Sequence, residues 1–476
     1  MAYHMPMEEK RQLTVGLEIH VELKTRTKMF CDCVNDPDEV HPNANVCPVC
    51  TGHPGTLPTI NKKAVELVLQ LGLALGGTVF PKGRSKFDRK NYFYPDLPKG
   101  YQISQYDEPL VLGGSLNGIR ITRIHLEEDA GSLMHEGTNS LVDFNRASAP
   151  LMEIVTEPDI RSAKEAAAFG EELRRILRYL GTSDADMEKG LMRLEANISI
   201  NMGTKVEVKN INSFKAVHDA IEYEYARHSA ALDTGEKILQ ETRGWNAEKG
   251  ITVSQRTKED AHDYRYFPEP DLPPMYADAF DLEALTTAIP ELPHEKRARF
   301  IAEYGIKEVD AYVVTEERAA AEFFEEAASE LKELDSTPNY GLLLNYFTSD
   351  LWGMMKKDGI GFGELRITPA NFASLVAMAA KSEIGSRGAK DALAHMAATG
   401  ATAETTVNEK CLRQVSDAAG LETTAKKILE ENPKAIEDYK KGKLESLHFL
   451  VGKAMKELKG TGNPALLREI FEKLLR

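Results

Sequence analysis

The sequence predicts an α+β fold, in which an antiparallel, β-rich N-terminal body is followed by an all-α helical region and a small helical tail. Up to about residue 293, short alternating segments are separated by Gly, Pro and Asn turns. Beyond that point helical periodicity continues to the end of the chain. Because 476 residues are too many for one compact core, we expect three domains, with boundaries at 1–293, 294–405 and 406–476.

The clearest strand covers residues 14–24, where apolar side chains alternate with Gly16, Glu18, His20, Glu22 and Lys24. Residues 192–201 alternate in the same way and lead through a Met202-Gly203 turn into residues 205–209, which predicts an antiparallel hairpin. A further strand is predicted over residues 119–126. Helical spacing predicts helices over residues 62–75, 162–180 and 216–231.

In the C-terminal half, prolines mark helix starts or breaks at Thr368-Pro369, Asn432-Pro433 and Asn463-Pro464. Small residues are concentrated at 385–388 and 397–406. We expect these two stretches to be flexible joints between helices.

Charge and hydropathy restrict the class of protein. No segment approaches the roughly 20 apolar residues that span a bilayer, and residues 1–12 are polar, so we expect a cytoplasmic protein with no membrane association. The formal net charge of -15 argues mildly against nucleic-acid binding. Two stretches are basic, however: residues 82–99, and the region from Lys434 to Lys459. Solvated helix faces explain the second stretch as well as RNA binding does.

Four of the five cysteines fall within twenty residues, as Cys31-x-Cys33 and Cys47-x-x-Cys50. Two close pairs separated by a loop can supply four thiolates to a tetrahedral Zn²⁺ ion. A stable disulfide is disfavoured in a protein without a secretory signal, and the βαβ context of a redox C-x-x-C motif is absent. Four thiolates leave no open coordination position, so the predicted zinc site is structural. Cys411 is predicted to be an ordinary core residue.

A second set of polar residues follows the strands. Glu18, His20 and Glu22 share one face of the first strand, and Glu127-Glu128-Asp129 follow the strand over 119–126. The hairpin adds two polar faces, Arg193/Glu195/Asn197 and Lys205/Glu207/Lys209. These faces suit either a solvated sheet surface or a site for Mg²⁺ and phosphate. A histidine is an unusual magnesium ligand, so zinc and manganese stay open, and no phosphate loop of the G-x-x-x-x-G-K-[ST] type is present.

Several long strings resemble the B subunits of the aspartyl/glutamyl-tRNA(Asn/Gln) amidotransferases. They are GLEIHVEL at 16–23, FDRKNYFYPD at 87–96, YQISQ at 101–105, HLEEDAG at 125–131, VDFNR at 142–146, KNINSF at 209–214 and DYRYFPEPD at 263–271. The resemblance covers nearly the whole chain. In this family the β-rich part is a cradle domain, and the last ~150 residues are similar to a helical domain shared with a small tRNA-associated protein.

The resemblance implies an ATP- and Mg²⁺-dependent ligase that forms carbon–nitrogen bonds. The side-chain carboxylate of misacylated Glu-tRNA(Gln) or Asp-tRNA(Asn) is phosphorylated and then amidated by ammonia. An amidase, the A subunit of such a complex, releases that ammonia from glutamine, and a small C subunit completes a heterotrimer. The tail is expected to bind tRNA.

The resemblance also implies roles for individual residues. Glu18, His20 and Glu128 would bind Mg²⁺ and, through it, ATP. Lys90 would stabilise phosphate charge or control the access of ammonia. Glu128, Glu207 and Lys209 are further catalytic candidates. Glu195 stands where the family usually has Asp, so we do not expect it to be a direct ligand.

Two other functions are compatible with these residues. One is a non-catalytic tRNA-binding scaffold whose acidic faces are only solvated. The other is a stand-alone ATP-dependent amidoligase that acts on a free amino acid. The long helical tail disfavours the amidoligase, and the acidic faces on several strands disfavour the scaffold.

Overall fold

The computed structural model describes residues 11–257, 264–414, 418–458 and 462–475. Residues 1–10, Asp263 and Lys459, which the sequence predictions include, lie outside these ranges. The chain folds into two units, Met1–His294 and Glu295–Arg476. Among the described residues, the first unit has one hydrophobic core and the second has two.

The first unit combines strands and helices, as the sequence predicts. Its strands are β1 Leu13–Glu22, β2 Thr78–Val79, β3 Arg84–Ser85, β4 Asp88–Lys90, β5 Gln102–Ser104, β6 Val111–Leu112, β7 Ser115–Leu116, β8 Ile119–Glu128, β9 Ser132–Glu136, β10 Asn139–Asp143, β11 Pro150–Thr156, β12 Met192–Ile200, β13 Val206–Ile211, β14 Glu241–Asn246, β15 Ile251–Thr257, β16 Phe267–Pro268 and β17 Met275–Tyr276. Its helices are α1 Lys62–Ala74, α2 Ala163–Leu180, α3 Phe214–Thr234 and α4 Leu282–Thr287.

The main sheet of this unit has the strand order β15-β14-β13-β12-β1-β11-β8-β6-β2, with β7 paired to β8. All of its pairs are antiparallel except β13 with β14. On one face of the central strand, Val15, Leu17 and Ile19 are at most 1% exposed. Helices cover this apolar face, and Gly170 of α2 lies so close to Leu194 and Phe214 that a larger residue would clash. The opposite face carries the polar residues of β1.

The predicted hairpin is formed by β12 and β13. Asn201 and Met202 at its turn have φ values of 52° and 56°, in the left-handed region that such short turns require. A separate three-stranded sheet, in the order β16-β4-β5, brings residues 88–90 beside residues 267 and 268.

The second unit is helical. Its helices are α5 Pro293–Tyr304, α6 Glu308–Val314, α7 Arg318–Leu334, α8 Tyr340–Asn345, α9 Trp352–Asp358, α10 Pro369–Ala380, α11 Ser386–Thr399, α12 Ala403–Glu409, α13 Ala418–Glu431, α14 Pro433–Lys440, α15 Glu445–Glu457 and α16 Pro464–Leu475. One core surrounds Phe324, Phe347 and Phe372, and another surrounds Leu450, Leu467 and Phe471. The fold class is therefore confirmed, whereas the boundary at 405 stays a prediction.

Two local predictions for this unit are wrong. The small-residue stretches expected to be joints lie mostly in α11 and α12. In the second stretch alanine favours helix, and Ala403 packs into the core. Cys411 is exposed rather than buried, since it lies in a turn after α12 with a φ of 53°.

Among the described residues, no helix has both the length and the apolar character needed to cross a bilayer.

Candidate functional site

The polar face of the main sheet forms the floor of a cavity of about 1200 Å³. Successive side chains of a strand point to opposite faces, so every second residue of β1, β8 and β12 faces this space. Five neighbouring strands supply the floor residues. They are His125, Glu127 and Asp129 from β8 and the residue after it, Glu153 from β11, Glu18 and His20 from β1, Arg193 and Glu195 from β12, and Glu207 and Lys209 from β13.

The small sheet and the segment 264–268 supply the wall opposite this floor. Lys90, at the end of β4, lies with its Nζ 5.1 Å from the centre of the Tyr264 ring and 5.8 Å from that of Tyr92. Burial would lower the pKa of Lys90, but the negative charge of Glu127 and other nearby groups raises it. Lys90 is therefore a fixed positive charge beside an acidic floor.

One group of potential ligands consists of His20, Glu127 and Glu153, whose ligand atoms lie within 4.8 Å of one another. The Nε2 atom of His20 is 3.4 Å from Oε1 of Glu127 and 3.6 Å from Oε2 of Glu153. Burial would lower the pKa of His20, but its contacts with the two carboxylates outweigh burial and raise the pKa to about 10. For Glu127, burial would raise the pKa, but the cations Lys90 and His20 outweigh burial and lower the pKa.

A second group consists of Glu18, Glu195 and Glu207, again with ligand atoms within 4.8 Å. Lys209 Nζ donates to Glu195 at 2.7 Å and lies 3.4 Å from Glu207. Burial raises the pKa of Glu18, and the nearby carboxylates of Glu153 and Glu195 raise it further. Three carboxylates held this close repel one another, so a bound cation would stabilise them.

The two groups fit a divalent cation by the chemistry of their donors. Carboxylate oxygens are the ligands that Mg²⁺ prefers, and the single imidazole also suits manganese or zinc. Each group has only three side-chain ligands, which leaves positions for water or for oxygen atoms of a substrate. The floor therefore suits the binding of a polyphosphate through metal ions.

The structure brings most of the predicted site residues to this cavity. Glu18, His20, Lys90, Glu207 and Lys209 all line it, and so does Glu195, which we did not expect to be a ligand. Glu128 does not line it. Its carboxylate points to the other side of β8, accepts a hydrogen bond from the Ile103 N–H at 2.9 Å and pairs with the Lys99 ammonium. Its predicted catalytic and metal-binding role stays untested, but Glu127 holds the corresponding position in the cavity.

Sequence reasoning missed Glu153 and His125 as floor residues. His125 Nε2 lies 3.4 Å from Glu153 Oε2. Burial would raise the pKa of Glu153, but His125 and His20 hold the pKa of that carboxyl well below its usual range. A signal was available, because Glu153 is the one charged residue in β11, whose other residues are apolar except for Thr156. An isolated acid in a buried strand indicates a polar site.

The four clustered cysteines also come together, with their Sγ atoms within 4.8 Å of one another. Cys50 Sγ lies 4.0 Å from Cys33 Sγ and 3.9 Å from Cys47 Sγ, close to the separation of about 3.8 Å that Zn–S bonds of about 2.3 Å give in a tetrahedral site. A hydrogen bond from Cys31 lowers the pKa of Cys50, and the buried Lys28 ammonium, 3.8 Å away, lowers it further. The pKa of Cys31 is raised by its hydrogen bond to Cys50, and burial raises the pKa of Cys33. The sulfur–sulfur distances, rather than the acidity of the thiols, indicate that the cluster could hold a metal ion.

Comparison with known proteins covers both units. Residues 13–282 match the family described as the GatB/GatE catalytic domain, and residues 322–475 match the family described as the GatB domain. Three relatives each carry the name of an aspartyl/glutamyl-tRNA(Asn/Gln) amidotransferase B subunit. The protein of Dehalococcoides mccartyi strain 195 is 47% identical over 98% of this chain and 99% of its own length. Those of Thermomicrobium roseum and Thermotoga maritima are 45% and 46% identical, over 98% and 97% of this chain and 99% and 98% of their own lengths. The chain belongs to the family of aspartyl/glutamyl-tRNA(Asn/Gln) amidotransferase B subunits.

Proposed function

We propose that this chain is the subunit in which ATP phosphorylates the side-chain carboxylate of misacylated Glu-tRNA(Gln) or Asp-tRNA(Asn), and in which ammonia then converts that carboxylate to an amide. The carboxylate oxygen attacks the γ-phosphorus, and the bond to ADP breaks. Ammonia then attacks the acyl carbon, and inorganic phosphate leaves. The product is a side-chain amide. Because a carbon–nitrogen bond forms at the expense of ATP, the complex is a ligase, and glutamine is its amido donor.

The observation that carries this proposal is the pair of ligand groups on one cavity floor, His20 with Glu127 and Glu153, and Glu18 with Glu195 and Glu207. Both reactants are anionic, so their approach requires positive charge between them. Mg²⁺ held by these groups would supply that charge to the phosphates of ATP. A solvated scaffold surface would not need six such side chains gathered in two groups in one cavity.

The two lysines of the cavity have separate roles in this proposal. Lys90 stands on the wall opposite the floor, where its charge stabilises the transferred phosphoryl group or controls how ammonia reaches the acyl phosphate. Lys209 holds the carboxylates of Glu195 and Glu207 in place, as its contacts of 2.7 and 3.4 Å indicate. Neither lysine needs to change its protonation state.

The cysteine cluster is proposed to hold structural Zn²⁺. Its four thiolates fill a tetrahedral shell, which leaves no position for a substrate. The partners proposed from the family are the amidase, or A subunit, and the small C subunit in a heterotrimer, together with the misacylated tRNA. A cytoplasmic location is part of the same proposal.

The test is ATP hydrolysis stimulated by misacylated tRNA in the assembled heterotrimer. His20→Ala and Glu127→Gln are expected to lower the stimulated rate by on the order of 100-fold, because each removes a ligand from the floor. Glu136→Gln serves as the matched control, since Glu136 is an exposed glutamate of β9. Wild-type rates in the two floor variants would contradict the proposal.

A further inference from the structure

Four of the five glutamates in the two ligand groups have one carboxylate oxygen hydrogen-bonded to a side chain outside those groups. The fifth, Glu153, lies 3.4 Å from His125 Nε2 and 3.6 Å from Arg123 Nη2. Each of the four carboxylates therefore has one oxygen engaged by a donor and can offer the other to a cation. The donor and acceptor atoms are Ser104 Oγ with Glu127 Oε2 at 3.2 Å, Asn197 Nδ2 with Glu18 Oε1 at 2.8 Å, Lys209 Nζ with Glu195 Oε2 at 2.7 Å, and Thr242 Oγ1 with Glu207 Oε2 at 2.7 Å.

Two of the donors, Ser104 and Thr242, are hydroxyl groups of residues that do not line the cavity. Thr242 lies on β14 directly opposite Glu207 in the parallel pair of β13 and β14, so the register of the sheet holds its hydroxyl beside that carboxylate. Ser104, on β5, is 1% exposed, and its partner Glu127 is 2% exposed. Because both groups of this second bond are buried, water does not compete for it. The fold, rather than a ligand, fixes the two hydroxyls.

These hydroxyls decide how the two glutamates are turned. At Glu127, the oxygen that Ser104 does not engage is 3.4 Å from His20 Nε2, another member of the first group. At Glu207, the corresponding oxygen is 3.4 Å from the Nζ of Lys209. To hold one cation through both oxygens, either carboxylate would have to rotate and give up its hydroxyl. Such a rotation is costly, because hydrogen bonds to charged groups are among the stronger ones.

A carboxylate that offers one oxygen suits some divalent cations better than others. Ca²⁺ takes about six to eight oxygen ligands at about 2.3–2.6 Å and commonly binds both oxygens of a carboxylate. Mg²⁺ requires a nearly octahedral set of about six oxygens at about 2.0–2.1 Å, and it keeps several water molecules. Discrimination between the two cations therefore depends on the number of ligand oxygens and on how freely the ligands can move.

We propose that the Ser104 and Thr242 hydroxyls make the ligand groups selective for a small, six-coordinate cation such as Mg²⁺ against the larger Ca²⁺. Each hydroxyl keeps its glutamate a one-oxygen ligand, so the group cannot supply the additional oxygens that Ca²⁺ prefers. This selectivity rests on the proposed function, because it requires that the two groups hold the divalent cation of the ATP reaction. Ser104 and Thr242 are positioning residues, since they act through Glu127 and Glu207.

The experiment measures Mn²⁺ binding to the assembled complex by electron paramagnetic resonance, and competition gives the dissociation constants of Mg²⁺ and Ca²⁺. Thr242→Val removes one hydroxyl at nearly constant size, and Ser104→Ala removes the other. We expect the dissociation constant of Mg²⁺ to rise about tenfold in each variant, because the partners of metal ligands typically contribute about 10- to 100-fold to affinity. That of Ca²⁺ should stay within about twofold of wild type or fall, because Ca²⁺ can use the carboxylate oxygen that the hydroxyl releases.

Thr122→Val is the matched control for the loss of a hydroxyl. Thr122 Oγ1 donates to Glu157 Oε1 at 2.8 Å, which is a bond of the same kind, and neither residue lines the cavity. Both dissociation constants should stay within about twofold of wild type in this control. Thr242→Ser restores the hydroxyl and should recover the wild-type ratio of the two constants. Ser104→Ala tests the same prediction at the first group if Thr242→Val does not fold.

The possible outcomes distinguish this selectivity from the proposed function. A ratio of constants shifted toward Ca²⁺ in the hydroxyl variants, and restored in Thr242→Ser, supports the selectivity. An unchanged ratio, including an equal loss of Mg²⁺ and Ca²⁺ binding, overturns the selectivity and leaves the proposed metal-binding groups standing. A wild-type complex that binds no Mn²⁺ would overturn the proposed function and the selectivity together.

Discussion

The neighbouring residues Glu127 and Glu128 allow a sharp test, because β8 turns them to opposite sides. Glu127 lines the cavity beside His20, whereas Glu128 is 1% exposed and pairs with Lys99. Glu128→Gln keeps an oxygen for the Ile103 N–H but leaves the Lys99 ammonium, itself only 11% exposed, without its counter-ion. Breaking a buried ion pair on one side typically costs about 3–5 kcal/mol.

We therefore expect Glu128→Gln to lose about 3 kcal/mol of unfolding free energy, the lower end of that range because Lys99 retains some contact with solvent. Its rate of tRNA-stimulated ATP hydrolysis should stay within about threefold of wild type at a temperature where it is folded. Glu127→Gln should show the reverse, with a rate lowered by on the order of 100-fold and a smaller change in stability. Urea unfolding and steady-state kinetics measure both quantities. A stable but inactive Glu128→Gln protein, beside an active Glu127→Gln protein, would refute this assignment of the two glutamates.

Three further predictions concern other parts of the chain. Burial would raise the pKa of Glu224, but hydrogen bonds from His228, Arg227 and Thr252 lower it to about 2. The ionised Glu224 therefore contributes its full stabilisation above pH 4.5, the pKa of this group in the unfolded chain, and the contribution is lost as the pH falls toward 2. Glu224→Gln should flatten the acid limb of urea-unfolding stability between those values, and an unchanged limb would contradict this. Metal analysis should find about one zinc per chain, lost in Cys47→Ser, and a metal-free wild-type protein with four titratable thiols would exclude the zinc site. Deletion of residues 406–476 should weaken tRNA binding in a filter assay and leave assembly of the heterotrimer intact; unchanged affinity would exclude the tail from the RNA interface.

Strands and helices with strong periodicity could be predicted from the sequence. The alternation in residues 14–24 and 192–201 defines β1 and β12 because each strand has one face buried against helices and the other face open to the cavity. The order of strands could not be predicted, since β1 pairs with β11 and β12, which are distant in sequence. Small residues misled the prediction at α11 and α12, because alanine marks tight helix packing as readily as a flexible joint.

Most of the site residues could also be predicted from the sequence, because the alternation of side chains along a strand decides which residues share a face. Alternation places Glu18 and His20 on one face from sequence alone, and the same rule applied to β8 selects His125, Glu127 and Asp129 together and excludes Glu128. The resemblance to the family identified the acidic string but not which member faces the cavity. The isolated acid in β11 indicates a polar site, but only the pairing of β11 with β1 places Glu153 directly opposite His20.

The central claim is that a side-chain carboxylate attacks ATP in this cavity, and transfer of an oxygen isotope tests it most directly. Misacylated tRNA carrying ¹⁸O in the side-chain carboxylate is converted by the assembled complex with ATP and glutamine, and the released phosphate is examined by mass spectrometry. The account predicts one ¹⁸O atom in the phosphate for each amide formed. In His20→Ala both products should form more slowly, by on the order of 100-fold. Amide formation with unlabelled phosphate would contradict phosphorylation of the carboxylate.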